Sequence, residues 1–202
     1  MKKVVYDLDG TLIKFNTFKC WVILSFVISV FFIRFCFLFS FLKFAYLRKI
    51  KILDRVSFKS SILTLQVNSQ FWITVGSIYG RVLAKFFIRN DIIKMDKEAL
   101  RCLATAAPDI YARPFAQEVR IFNCIITSYF SEDGCFVETL NREKLRHVSF
   151  NFSSSPDILY TDHYDDIPLA EKCKFTFIVS PSDTTREYFT KAMKNSNYRV
   201  IH

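Results

Sequence analysis

From Cys20 to Leu42 the chain reads CWVILSFVISVFFIRFCFLFSFL, and the only charge in it is Arg34. Wound as one α-helix at 1.5 Å per residue, such a run is roughly 35 Å long, enough to cross a bilayer. Hydropathy alone therefore predicts a transmembrane helix. A single crossing would put residues before 20 on one side of the membrane and residues after 42 on the other. That is allowed only if the two parts do not build one site.

The rest of the sequence says that they do. Outside the segment 16–99 short apolar runs alternate with helical stretches: KKVVY (2–6), LRCLAT (100–105), RIFNCIITS (120–128), DILYTD (157–162) and KFTFIVS (174–180). Such runs predict a parallel sheet with helices on both faces. A short hairpin is expected around GCFVETL, after the Asp133-Gly134 turn signal. Ligands of such sheets bind beyond the carboxyl ends of the strands. Asp7, Thr105 and Asp162 each fall at such an end. One polar residue there is usually a turn former, but three on three strands point to a shared site. The apolar run must therefore return to the side it left. It can break near Arg34 into two helices, form a re-entrant hairpin, or lie in the interface. A second apolar stretch, Phe71 to Ile88, could be its partner, with Gly76 and Gly80 allowing close packing. The competing expectation is a soluble four-helix cap whose apolar faces bury one another.

Charge is distributed unevenly. Residues 16–99 hold 13 Lys and Arg against 4 Asp and Glu, an excess of nine that equals the formal charge of the whole chain. The same segment carries 13 of the 23 Phe. Basic and apolar together suggest an anionic membrane surface or a phosphorylated amphiphile, with the cluster Arg48, Lys49, Lys51, Arg55 and Lys59 beside the apolar run. No aromatic RNA-binding motif or zinc-finger spacing is present, so nucleic acid is not an expected partner. The six cysteines make no CxxC and read as reduced thiols of a cytoplasmic protein. Met1-Lys2-Lys3 is like the start of a signal peptide, but Asp7 and Asp9 stand where its apolar region should be. The expected location is cytoplasmic, with membrane association on the cytoplasmic face.

The polar residues form an ordered set. DLDGTL (7–12) follows the first strand, Thr105 ends the next in LATAAPDIYA, Lys144 stands in NREKLRHV, and YTDHYDDIPLA closes a later strand. In this order they resemble the four motifs of the haloacid dehalogenase superfamily of phosphotransferases. In that family's fourth motif two acids stand four apart before an apolar pair. That picks Asp162 and Asp166, with Asp165 as a substitute. A helical insertion directly after the first motif resembles the phosphoserine phosphatase branch. In its hydrophobic, basic character the segment is similar to the bacterial phosphatidylglycerophosphate phosphatases of that superfamily. The chain departs from the pattern at Thr105-Ala106-Ala107, at Asn141-Arg142-Glu143 before the lysine, and at His163.

The resemblance implies a Rossmann-like α/β core formed by residues 1–15 and 100–202, with residues 16–99 as a helical cap inserted after the first strand. It implies Asp7 as nucleophile and Asp9 as general acid and base, the latter a mark of phosphatases and mutases rather than ATPases or dehalogenases. It implies phosphate contacts from Thr105 and Lys144, and Mg²⁺ on Asp7, Asp162, Asp166 and the carbonyl of Asp9. Magnesium suits such oxygen ligands, and crowded acids at 7, 9, 162 and 166 call for a cation. The expected activity is phosphomonoester hydrolysis through an aspartyl phosphate. Its substrate would be a phosphorylated lipid or amphiphile at a membrane surface. The alternatives are a soluble phosphatase of a small metabolite, phosphoserine-like or a sugar phosphate, and a membrane-interaction module with a vestigial site.

Overall fold

The computed structural model describes residues 1–95, 99–152, 155–193 and 197–202. Its sheet has seven strands: β1 (Lys2–Tyr6), β2 (Ala99–Pro108), β3 (Cys124–Phe130), β4 (Phe136–Val137), β5 (Ile158–Thr161), β6 (Phe175–Val179) and β7 (Tyr198–Ile201). Their spatial order is β4-β3-β2-β1-β5-β6-β7. Each neighbouring pair is parallel except the β3–β4 hairpin.

β1 lies in the middle, paired through Val4 to Arg101 on one side and to Ile158 on the other. Alternate residues feed two separate cores, as the period of a strand requires. Val4 and Tyr6 join Leu103, Ile158, Tyr111 and Phe115 in one. Val5 joins Cys102, Leu159, Val148 and Phe189 in the other. The first core is covered mainly by α4 (Gln70–Phe86) and α6 (Asp109–Val119), the second by α7 (Asn141–Phe152), α8 (Ile167–Ala170) and α9 (Asp183–Ala192). This is the expected α/β sheet with helices on both faces.

Between β1 and β2 the chain is helical: α1 (Thr17–Phe31), α2 (Phe35–Lys49), α3 (Arg55–Val67), α4 and the short α5 (Asn90–Lys94). The apolar run does break at Arg34, the N-cap of α2, after Ile33 takes a left-handed φ of +49°. Among the described residues, no helix is long and apolar enough to cross a membrane. The boundary expected at 99/100 adjoins residues 96–98, which lie outside the described residues.

Three expectations need correction. The glycines of α4 do not serve contact with the apolar run. A Cβ on Gly76 would stand 2.6 Å from the carbonyl oxygen of Ile110, and one on Gly80 2.3 Å from that of Tyr111, so both let α4 lie on α6 of the sheet layer. Contact with α1 and α2 falls instead to Trp72, whose ring meets those of Trp21 and Phe37, and to Tyr79, whose ring also meets Trp21. The strand expected from Arg120 begins only at Cys124, because Arg120 is the left-handed cap that ends α6. Finally, β7 adds a seventh strand that the sequence reading did not include.

Candidate active site

The first motif is a tight loop at the end of β1. The backbone N–H of Asp7 still donates to Tyr160 O (2.9 Å), so Asp7 sits at the sheet edge where β1 and β5 end together. Leu8, Leu12 and Ile13 are fully buried and pin the loop down, and Ile13 N–H donates back to Leu8 O at 2.9 Å. Gly10, at φ +70°, lets the chain reverse. It also lets β5 approach: a Cβ there would lie 2.0 Å from Asp162 Oδ2. The Gly of the motif is thus what allows the acid after β5 to stand against the loop after β1.

Asp9 is held from the opposite direction by the first turn of α1. Its Oδ1 accepts the backbone N–H of Thr17 at 2.9 Å and the Thr17 hydroxyl at 2.6 Å. Thr17 is fixed in turn by Tyr111, whose hydroxyl is 3.1 Å from its Oγ1, and by Tyr79, which donates to its carbonyl at 2.9 Å.

Lys144 extends from α7 into the centre of the carboxylates and is 2% exposed. Its ammonium donates to Asp7 Oδ1 at 3.0 Å and spans both oxygens of Asp166, at 2.7 and 2.8 Å. The Thr161 hydroxyl donates to Asp166 at 2.7 Å. Asp165 turns elsewhere, towards His163 Nδ1 (3.1 Å) and Arg55 Nη1 (3.9 Å). Of the two neighbouring acids it is therefore Asp166 that meets Lys144. Thr105 is buried just before the register of β2 against β3 shifts. Its Oγ1 accepts the Ala107 N–H at 3.1 Å, leaving its proton free to donate.

Burial is the main influence on these groups. It pushes the Asp7 carboxyl up to about 7; Lys144 pulls the other way, and the charges of Asp166 and Asp9 add to the rise. Asp162 is pushed up to about 8 by burial and then by Asp7, Asp166 and Asp9. Asp9 is raised by burial, with the two Thr17 hydrogen bonds working against it. Burial works against the Lys144 charge, but Asp166 and Asp7 outweigh it and hold the ammonium above the ordinary lysine value.

Asp162 has no hydrogen-bond or ion-pair partner among the described residues, although burial and three other acids oppose its charge. A half-buried carboxylate without a donor beside a second carboxylate suits a hard cation. Among the described residues no three or more His, Cys, Asp and Glu side chains converge on one point. A cation here would lean on Asp7, Asp162 and a backbone carbonyl, while Lys144 and Thr161 already engage Asp166.

All six expected site residues line one cavity of about 660 Å³ beyond the strand ends. Its far wall comes from the helices inserted after β1. Phe18, Lys19, Val22 and Ile23 of α1, Arg48 of α2 and Arg55, Phe58 and Lys59 of α3 line it. Sequence reading grouped Arg48, Arg55 and Lys59 with Lys49 and Lys51 as one polybasic surface. The structure divides the group, because Lys49 and Lys51 are not among the lining residues. Lys59 is 4% exposed, donates to Glu138 at 2.7 Å and to the carbonyl of Ala106, and lies near Asp9. Arg55 also meets Glu138, at 3.4 Å. The i, i+4 spacing of Arg55 and Lys59 was the signal that both face one way.

A sequence profile of the haloacid dehalogenase-like hydrolases matches residues 4–171. The chain belongs to that family. No curated protein matches it in sequence. Among solved structures it is similar to a protein of unknown function from Bordetella pertussis Tohama I. The TM-score is 0.74 at 16% identity, over all of this chain and 98% of that one. It is also similar to a phosphoserine phosphohydrolase-like protein from Francisella tularensis subsp. tularensis SCHU S4. There the TM-score is 0.60 at 15% identity, over 100% and 95% of the two chains. A phospho-aspartyl intermediate analogue of phosphoserine phosphatase matches with a TM-score of 0.52 at 14% identity, over 93% and 91%. At these identities the likeness is one of fold.

Proposed function

We propose that the protein is a Mg²⁺-dependent phosphomonoesterase that works through an aspartyl phosphate on Asp7, and that its substrate is a phosphorylated lipid or other amphiphile. The observation that carries the chemistry is Lys144, buried between Asp7 and Asp166 in one cavity with Asp9, Asp162 and Thr105.

Asp7 Oδ attacks phosphorus and the bond to the leaving oxygen breaks. That oxygen takes its proton from Asp9, whose carboxyl is raised above its ordinary value by burial. Water then attacks phosphorus, Asp9 takes the water's proton, and the bond to Asp7 breaks to free inorganic phosphate. Thr105 donates to a phosphoryl oxygen, and Lys144 stabilises both the nucleophile and the charge that builds on the transferring group. Mg²⁺ would be held by Asp7, Asp162 and the Asp9 carbonyl, with Asp166 completing the set. When bound, it supplies positive charge that keeps Asp7 ionised and screens the phosphoryl oxygens. The inserted helices act as a cap over residues 1–15 and 100–202.

What supports an amphiphilic substrate is the mixed lining of the cavity. Val22, Ile23, Phe18 and Phe58 stand among Lys19, Arg48 and Arg55. An anionic head with an apolar continuation complements that wall. This is also what the likeness in character to phosphatidylglycerophosphate phosphatases suggests. The complete acidic set argues against a vestigial site.

Phosphate release from an aryl phosphate with Mg²⁺ tests the chemistry. Asp7→Asn should lower it by at least ~10³-fold, and Asp9→Asn should spare an activated aryl leaving group more than an alkyl one. Full activity in Asp7→Asn would refute the nucleophile. A panel of phosphorylated lipids and small metabolites tests the substrate, and preference for phosphoserine or a sugar phosphate would refute the amphiphile.

A further inference from the structure

Helix α1 is inside out. Its buried residues are Thr17, Trp21, Ser25 and Ser29, a stripe with a spacing of four. Two of them are joined by hydrogen bonds to α3: Trp21 Nε1–H donates to Gln66 Oε1 and Gln66 Nε2–H to Ser25 Oγ, both at 2.9 Å. The outward stripe is Ile23, Val27, Val30 and Phe31. Helix α2 continues the pattern, burying only Phe37 and exposing Phe35, Phe39, Leu42 and Tyr46. At the turn between them Phe31, Phe32, Ile33, Phe35 and Phe39 are between 61% and 80% exposed. An apolar patch of this kind on a water-facing surface marks a binding surface.

We infer that this α1–α2 hairpin is an interfacial anchor whose tip enters the acyl boundary of an anionic bilayer and whose cations sit among the headgroups. Its functional meaning rests on the amphiphile reading above. Three observations choose a lipid surface as the occupant. Residues 16–53 contain no Asp or Glu, and Arg34, Lys43, Lys49 and Lys51 lie outside the catalytic cavity, a charge that complements anionic headgroups. The same charges would repel a second copy of the face, so self-association is disfavoured. Each helix has 15 residues, about 22 Å, too short to span yet sufficient to dip into one leaflet and return. The α1 stripe begins at Ile23 in the wall of the catalytic cavity and ends about 12 Å away at the tip. A bilayer holding the tip would therefore lie within about 12 Å of the cavity wall, measured along α1.

The test is flotation of the full chain with vesicles of phosphatidylcholine and phosphatidylserine, against phosphatidylcholine alone. Binding should be selective for the anionic vesicles and weakened by salt. The triple variant F31S/F35S/F39S should bind at least ~10-fold more weakly while hydrolysing a soluble aryl phosphate like the parent. In a Cys135→Ser background, a polarity-sensitive dye on the exposed Cys36 should shift to the blue when anionic vesicles are added. Failure to float, undiminished binding by the triple variant, an unshifted dye, or a dimer that covers the tip would each overturn the proposal. Asp7→Asn should float normally, so loss of catalysis and loss of membrane binding are separate results.

Discussion

Lys144 holds two buried carboxylates at once, and its removal would leave Asp7 and Asp166 facing each other without a cation. Breaking a buried pair costs about 3–5 kcal/mol, because the partner's charge stays behind. Lys144→Met should therefore lower the thermal midpoint sharply, and adding Asp166→Asn should restore much of it. If the single variant is as stable as the parent, the ammonium is not the cluster's counter-charge. The residues themselves were legible because their order along the chain is a motif: Asp7, Asp9, Thr105, Lys144, Asp162 and Asp166 all reach one cavity. Their partners were not. Thr17, Thr161 and Glu138 act only through distances that spacing does not encode, and Glu138 lies 79 residues from Lys59.

At the scale of elements, the inverted helix α1 explains why hydropathy misleads. The 23 mostly apolar residues from Cys20 to Leu42 look like one span, but Ile33 takes a left-handed turn and Arg34 starts a second helix over the ring of Phe71, 3.8 Å from its centroid. The two serines of α1, Ser25 and Ser29, are among its buried residues. Gln66 is the bridge that makes this tolerable. Gln66→Leu would strand the Trp21 N–H and the Ser25 hydroxyl, costing about 1–3 kcal/mol. Chemical denaturation should show that loss; no change would mean that water or another partner satisfies both groups. Strand existence was legible from β-branched runs, while ends were not: β3 starts late because Arg120 caps α6, and the short β7 has no alternation to announce it.

Over the whole molecule, stability and charge are coupled through the site. Burial pushes Asp7 up to about 7 and Asp162 up to about 8 in the fold, from the ordinary carboxyl value of 3.8 that the unfolded chain keeps. Between those values the folded chain holds more protons than the unfolded one, so stability falls as pH rises from about 4 to about 8 and levels off above that. With chelator present, the thermal midpoint should drop by on the order of 5 °C between about pH 5 and about pH 9. Mg²⁺ should recover most of the loss at high pH, since it favours the ionised acids. A midpoint that rises over this range without metal would show that the acids are not crowded as the structure has them. The charge excess of residues 16–99 was plain in the sequence, but only the fold separates the cations that line the cavity from those that do not.

The central claim, that phosphorus passes through Asp7, can be read directly. Protein mixed with substrate and Mg²⁺ is quenched and reduced with borohydride, which converts an acyl phosphate to the alcohol, and the peptide containing residues 4–12 is sequenced by mass spectrometry. The account predicts homoserine at position 7 in the parent and none in Asp7→Asn. Homoserine at position 9 or 162, or robust turnover with no modified carboxylate, would contradict it.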